Sequence, residues 1–292
     1  LPPPLSTMPG LKVVSHARRA LATGLAACLL CAQAAGPADA ADQPFGKARE
    51  RGTLVVGVPY LAPPAAAGAK VRTPERLDTV AAARLAEQLG LALEVVQIPP
   101  ARQAQALADG VVDVLLADRV ADQSAPALQG DGTAVVAAGY VTRPKAVIRS
   151  DTPLRDWSQA KGLTVCMSTA AFQAQALAAT WGAKVQTHRV PSDALVAVRE
   201  GSCDIGLVDD TVWGPLMQFP EWKKFSATLP VTGPQAELVW VARNGDQATA
   251  RWLAATMRQW RSQGVWQAMA RKWARDVAFD VYLDQEVPDC HG

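Results

Sequence analysis

A chain of 292 residues with 49% hydrophobic side chains is long enough for one large domain or two lobes, each with a real core. Its formal charge is +2, and because residues 1–40 hold Lys12, Arg18 and Arg19 against Asp39, the remainder carries 26 basic and 26 acidic side chains. A neutral body without a basic run argues against nucleic acid or an anionic membrane as partner, since both are held by concentrated Lys and Arg; small molecules or another protein remain.

Residues 1–40 read as a leader: a basic stretch ending at Arg18-Arg19, an apolar stretch from Ala20 to Ala35, and the small residues Ala38-Asp39-Ala40 before Ala41. Leu1 to Thr7 fits no signal pattern, so Met8 is a candidate start. Ordinary secretion with cleavage after Ala40 is the expectation; Arg18-Arg19 also fits a twin-arginine route, and Leu25-Ala26-Ala27-Cys28 a lipoprotein cleavage box with anchoring at Cys28. No later apolar run approaches the roughly 18–20 residues that cross a bilayer. Cys28 and Cys31 fall in the leader, leaving Cys166, Cys203 and Cys290. An oxidising compartment favours pairing two of these and leaves one over.

Beyond the leader, a charged helix at Lys47–Arg51 precedes a β-branched run, Thr53–Val58, that reads as a buried strand. A helix over Thr79–Leu89, stopped by Gly90, leads to a strand over Ala92–Ile98; a helix over Gln103–Ala108 and Gly110 lead to a strand over Val111–Leu116. This alternation predicts a parallel sheet. After a connecting strand, Lys145–Ile148, the pattern restarts: strand Leu163–Met167, helix Ala170–Thr180, strand Lys184–His188, helix Asp193–Arg199, strand Asp204–Val208. Two separate sheets follow from that. A strand over Glu237–Ala242 precedes a helical stretch to Ala274, broken near Gly264, whose Trp252, Trp260, Trp266 and Trp273 suit a buried face and are assigned to the core.

Four strings, taken in order, resemble the polar amino-acid class of periplasmic solute-binding proteins, the two-lobed receptors of ABC importers. They are Gly52–Val58, Ala106–Ala117, Gly201–Asp210 and Val239–Asp246, and the resemblance covers residues 47–275. It implies an α/β clamshell with two crossing strands, near Tyr140–Arg149 and Glu237–Ala242. Lobe one is then residues 41–143 and 237–284, lobe two 144–236, and the tail 285–292. It further implies a periplasmic monomer that captures a small polar, amino-acid-like ligand between its lobes and delivers it to a membrane permease, with no cofactor. Receptors of this type often pair a cysteine in the first strand of lobe two with one before the Asp-containing strand, the places of Cys166 and Cys203. Cys290-His291 on the tail supplies too few ligands for a closed zinc site.

The same resemblance suggests ligand contacts. Asp209 matches the lobe-two aspartate that pairs with a ligand ammonium, though an N-cap for the segment starting at Thr211 is the plainer role. Ser168 and Thr169 sit where hydroxyl and backbone donors hold a carboxylate, or where they cap the following helix. Lobe one departs from the pattern, for the place of the clamping arginine falls on Ala125 and the hydroxyl places on Val120 and Asp122. Asp118 and Arg119 are the nearby candidates, with Arg119 equally suited to a solvated loop. The usual aromatic walls read as the Ala62–Ala67 stretch and Pro100, leaving Tyr60 and Tyr140 as substitutes. Catalysis is disfavoured because His188 and His291 are the only histidines after the leader, and no nucleophile elbow or phosphate loop is present. Glu237 and Asp118 are candidate carboxylate catalysts, but carboxylates abound and the sequence marks no matched pair of perturbed groups. The rival reading is a non-transport periplasmic accessory or sensor partner reusing this fold.

Overall fold

The computed structural model describes residues 43–64, 67, 77–120, 133–230 and 233–283. The leader, Ala65 and Ala66, residues 121–132 with Asp122 and Ala125, and residues 284–292 with Cys290 and His291 lie outside them.

Helix α1 (Gly46–Arg51) ends at Gly52, whose φ of 72° lets the chain reverse into strand β1 (Thr53–Val58). Helix α2 (Leu77–Leu89) carries Asp78 in its first turn, where a carboxylate suits the positive end of the helix. Strand β2 (Ala92–Gln97) and helix α3 (Gln103–Ala108) follow. Strand β3 (Val114–Val120) starts later than the Val111 expected. The Val111 N–H is taken by the Ala106 carbonyl (2.9 Å) and the Gly110 N–H by the Leu107 carbonyl (3.2 Å), so Val111 closes α3 and stays exposed.

Strand β4 (Thr133–Thr142), which the sequence pattern did not reveal, runs into β5 (Pro144–Arg149). Then come β6 (Thr164–Ser168), α4 (Phe172–Thr180), β7 (Lys184–His188), α5 (Pro191–Glu200), β8 (Ile205–Asp209), α6 (Asp210–Leu216), α7 (Pro220–Phe225) and β9 (Ser226–Ala227). Strand β10 (Ala236–Arg243) leads to α8 (Gln247–Ser262), whose N-terminus is capped by the Asp246 side chain accepting from the Thr249 N–H (2.9 Å), and to α9 (Val265–Leu283).

These strands build two five-stranded sheets, ordered β2-β1-β3-β10-β4 and β7-β6-β8-β5-β9. Both are mixed, which corrects the expected parallel sheet. Strands joined through helices run parallel, β1 with β2 and β3, and β6 with β7 and β8. Strand β10, by contrast, lies antiparallel between β3 and β4, and β5 lies antiparallel to β8. The strand-helix alternation reports only the crossover units; an antiparallel strand arriving from elsewhere in the chain leaves no such trace. The chain changes sheet between Thr142 and Pro144 and returns between Ala227 and Ala236.

Strand β1 approaches β3 so closely that a Cβ at Gly57 would collide with the Leu115 side chain. Around these sheets the largest core joins Leu54, Leu85, Trp240 and Leu253 with Leu195, Val208, Leu216 and Trp222. It is continuous because α9 packs against α2 and α8 and also against α5 and α6, inserting Trp273, Val277 and Val281. Trp260, Trp266 and Trp273 are core residues, and two of them have satisfied N–H groups: Trp266 donates to the Ala138 carbonyl (2.8 Å) and Trp260 to Gln88 Oε1 (3.0 Å), while Trp252 is partly buried. A second core, with Ile148, Met167 and Ile205, lies under Ala174 and Ala178 of α4. Among the described residues no helix is long and apolar enough to cross a membrane.

Candidate functional site

A cavity of about 110 Å³ lies between the two sheets. The first-sheet side contributes Asp78 from α2, Asp118 from β3, Tyr140 and Thr142 from β4, and Leu238 from β10. The second-sheet side contributes Ser168 from the end of β6, Phe172 from the start of α4, and Leu207 and Asp209 from β8, while Trp273 of α9 adds to the wall. Strand ends of one sheet therefore face a strand end and helix start of the other, where backbone N–H groups and short polar side chains converge.

Tyr140 ties the two sides together. Its ring lies 5.1 Å from that of Trp266, and its hydroxyl donates to Asp209 Oδ2 (3.1 Å) and touches Thr211 Oγ1. Next to it, Thr142 Oγ1 donates to Asp210 Oδ1 (2.9 Å), which also accepts from the Arg143 N–H (3.1 Å). The crossing from β4 to β5 is thus pinned to the first turn of α6. Asp209 occupies the N-cap position of α6 but makes no capping bond, and its carboxylate turns to Tyr140 at the cavity edge.

Ser168 is buried, and its Oγ accepts from the Ala170 N–H (3.1 Å). This turn explains why α4 starts at Phe172 and not at Ala170: the Ala170 and Ala171 N–H groups both bond back to Ser168. The Ser168 hydroxyl hydrogen still has a direction to donate, so the side chain caps and lines at once. Thr169 is turned away, its N–H (2.8 Å) and hydroxyl (3.0 Å) both donating to the His188 carbonyl.

Of the residues anticipated from sequence, Asp118, Tyr140, Ser168 and Asp209 come together on this cavity, while Tyr60, Arg119 and Thr169 are not among its lining. Arg119 forms an ion pair with Glu237, its cross-strand partner on β10, at a surface-exposed position. Lining residues that sequence reasoning passed over include Asp78, Thr142, Phe172 and Trp273. With Tyr140, Phe172 and Trp273 give the cavity an aromatic contribution from places other than the Ala62–Ala67 stretch and Pro100. Phe172, 43% exposed at a helix start, was the legible signal, because a large apolar side chain there has no core to enter.

Away from the cavity, Cys166 and Cys203 form a disulfide with Cα atoms 6.0 Å apart, within the range such a bond spans. The bond ties β6 to the turn before β8 and is covered by Ala194, Ala197 and Val198 of α5.

No protein-family model matches the chain, and no curated protein matches it. Solved structures do. A mutant of ArgBP from T. maritima aligns at 17% identity and TM-score 0.54, covering 78% of this chain and 98% of its own. AncCDT-1, an ancestral amino acid-binding protein described as a precursor of cyclohexadienyl dehydratase, aligns at 18% identity and TM-score 0.53 over 78% of this chain and 98% of its own. A putative binding component of an ABC transporter from Wolinella succinogenes, complexed with lysine, aligns at 17% identity and TM-score 0.54 over 77% and 97%. At such identities the likeness speaks of architecture, and it agrees with the two mixed sheets facing one cavity: the chain has the two-lobed type II periplasmic-binding-protein fold.

Proposed function

We propose that this protein is a periplasmic solute receptor that closes on a small polar, amino-acid-like ligand and hands it to the permease of an ABC importer, acting by binding and without a catalytic step. The observation that carries this reading is the cavity itself, to which both sheets contribute carboxylate, hydroxyl and aromatic groups. In this reading residues 41–143 and 237–284 form lobe one, 144–236 form lobe two, and the leader takes the chain to the periplasm, where it works as a monomer. Asp209, oriented by Tyr140, receives the ligand ammonium. Ser168 and the N-terminal turn of α4 receive its carboxylate, replacing an arginine clamp, since Arg119 is engaged by Glu237. The ArgBP and Wolinella structures, described as arginine-bound and complexed with lysine, support an amino-acid-like ligand. The cavity of about 110 Å³ is smaller than the roughly 150 Å³ that admits benzene, which favours a compact ligand in this state of closure.

A thermal-shift screen against amino acids, amines and small organic acids tests the reading. A ligand at 100 times its dissociation constant adds about 2.7 kcal/mol, a rise of roughly 5–10 °C for a domain of this size, and the rise is lost in Asp209→Ala. A folded sample that responds to nothing across the panel overturns it.

One observation favours a second reading, an accessory protein that offers its surface to another periplasmic protein: α9 packs on helices beside both sheets. A helix wedged across both halves opposes hinge opening, which a transport receptor requires and an accessory does not.

A further inference from the structure

Three side chains outside the cavity converge in a way that disulfide formation alone does not explain. His188, the last residue of β7, reaches across β6 and brings its Nε2 to 3.9 Å from Cys203 Sγ. The ligand atoms of Cys166, His188 and Cys203 all lie within 4.8 Å of one another. None of the three lines the cavity.

We propose that this cluster is a latent site for a thiophilic d10 cation, zinc or monovalent copper, which the Cys166–Cys203 bond keeps closed and which a dithiol reductant opens. The reductant gives two electrons and two protons to the disulfide, is itself oxidised to a disulfide, and leaves two thiols. Binding the cation then releases the two thiol protons and forms two metal–sulfur bonds, with the His188 nitrogen as third ligand and one position left for solvent.

The geometry supports this at each point. Two sulfurs and an imidazole nitrogen around a tetrahedral zinc stand about 3.8 Å (S to S) and about 3.6 Å (S to N) apart, from metal–ligand lengths of roughly 2.3 and 2.0 Å. The His188 nitrogen is already near its place, and only the two sulfurs must separate. Their cover includes Ala194 and Ala197, small side chains that oppose rotation about the Cα–Cβ bonds less than larger ones would. Both cysteines are buried, but β7 is the edge strand of its sheet and exposed from Lys184 to Thr187. A cation therefore reaches the sulfurs past His188, which is itself half-buried. The Gln186 amide, 3.3 Å from the same Nε2, must give up that contact when the nitrogen coordinates.

The test uses the full chain carrying Cys28→Ser, Cys31→Ser and Cys290→Ser, so that Cys166 and Cys203 are its only cysteines. After anaerobic reduction with a phosphine, the chain is titrated with Zn²⁺ and, separately, with Cu⁺, each against a chromophoric chelator. The expected result is one cation per chain for the reduced form, none for the oxidised form, and affinity lowered by at least about tenfold in His188→Ala, the loss met when even an outer-shell partner of a metal is removed. Which cation wins the competition distinguishes zinc from copper. If reduction loosens the fold, the cation is expected to restore the thermal transition. A reduced chain that neither takes up one cation nor is refolded by it, or that binds equally well without His188, overturns the proposal.

Discussion

Strand periodicity explains which anticipated residues reach the cavity. Asp118 and Arg119 are neighbours on β3, and successive side chains of a strand point to opposite faces. Asp118 therefore lines the cavity beside its cross-strand partner Leu238, while Arg119 meets Glu237 on the other face. The two could not both have served. Ser168 and Thr169 divide in the same manner, one toward the cavity and one toward His188. Tyr140 sets the direction of the Asp209 carboxylate by donating to it. Tyr140→Phe is expected to cost about 1 kcal/mol of stability and to weaken ligand binding roughly fivefold, read by urea unfolding and by titration of the ligand found in the screen. Unchanged ligand affinity would assign Tyr140 to fold maintenance alone.

At the scale of elements, the buried strands β1, β6 and β8 and the capped helices α3 and α5 were legible because burial on both faces yields unbroken β-branched runs, and glycine marks helix ends. Strand β4 was not, since most of its residues are only partly buried and it lacks an apolar alternation. Helix α9 was expected to end at Ala274 and continues to Leu283, with Val277, Ala278 and Val281 buried. The Cys166–Cys203 bond closes a separation of 37 residues, which on a chain-entropy basis stabilises the fold by about 4 kcal/mol. A Cys166→Ala, Cys203→Ala variant should accordingly unfold at clearly lower denaturant concentration than the parent, with a somewhat steeper slope because its unfolded chain is more expanded. A midpoint equal to the parent's would mean that the bond constrains the unfolded chain less than this loop length requires.

For the molecule as a whole, the two readings of function differ in how far the halves move. Small-angle scattering on the protein with and without a ligand from the screen separates them: a receptor contracts on binding, whereas an accessory held by α9 keeps one radius of gyration. Val277→Ala with Val281→Ala, which thins the α9 contact, should widen the unliganded form if α9 is the restraint, and leave it unchanged otherwise. The sequence by itself determined that strands and helices alternate in two α/β stretches, because this follows from local apolar pattern and short-range stops, while the Cys166–Cys203 pairing was implied only by the family resemblance. Only the tertiary structure decided that both sheets are mixed, that Asp78, Phe172 and Trp273 join the cavity, that Arg119 turns outward, and that His188 meets the disulfide. Each of these depends on pairings between residues far apart in the chain, and a side chain's partner across a sheet or between two helices is set by register and packing, on which local composition carries no information.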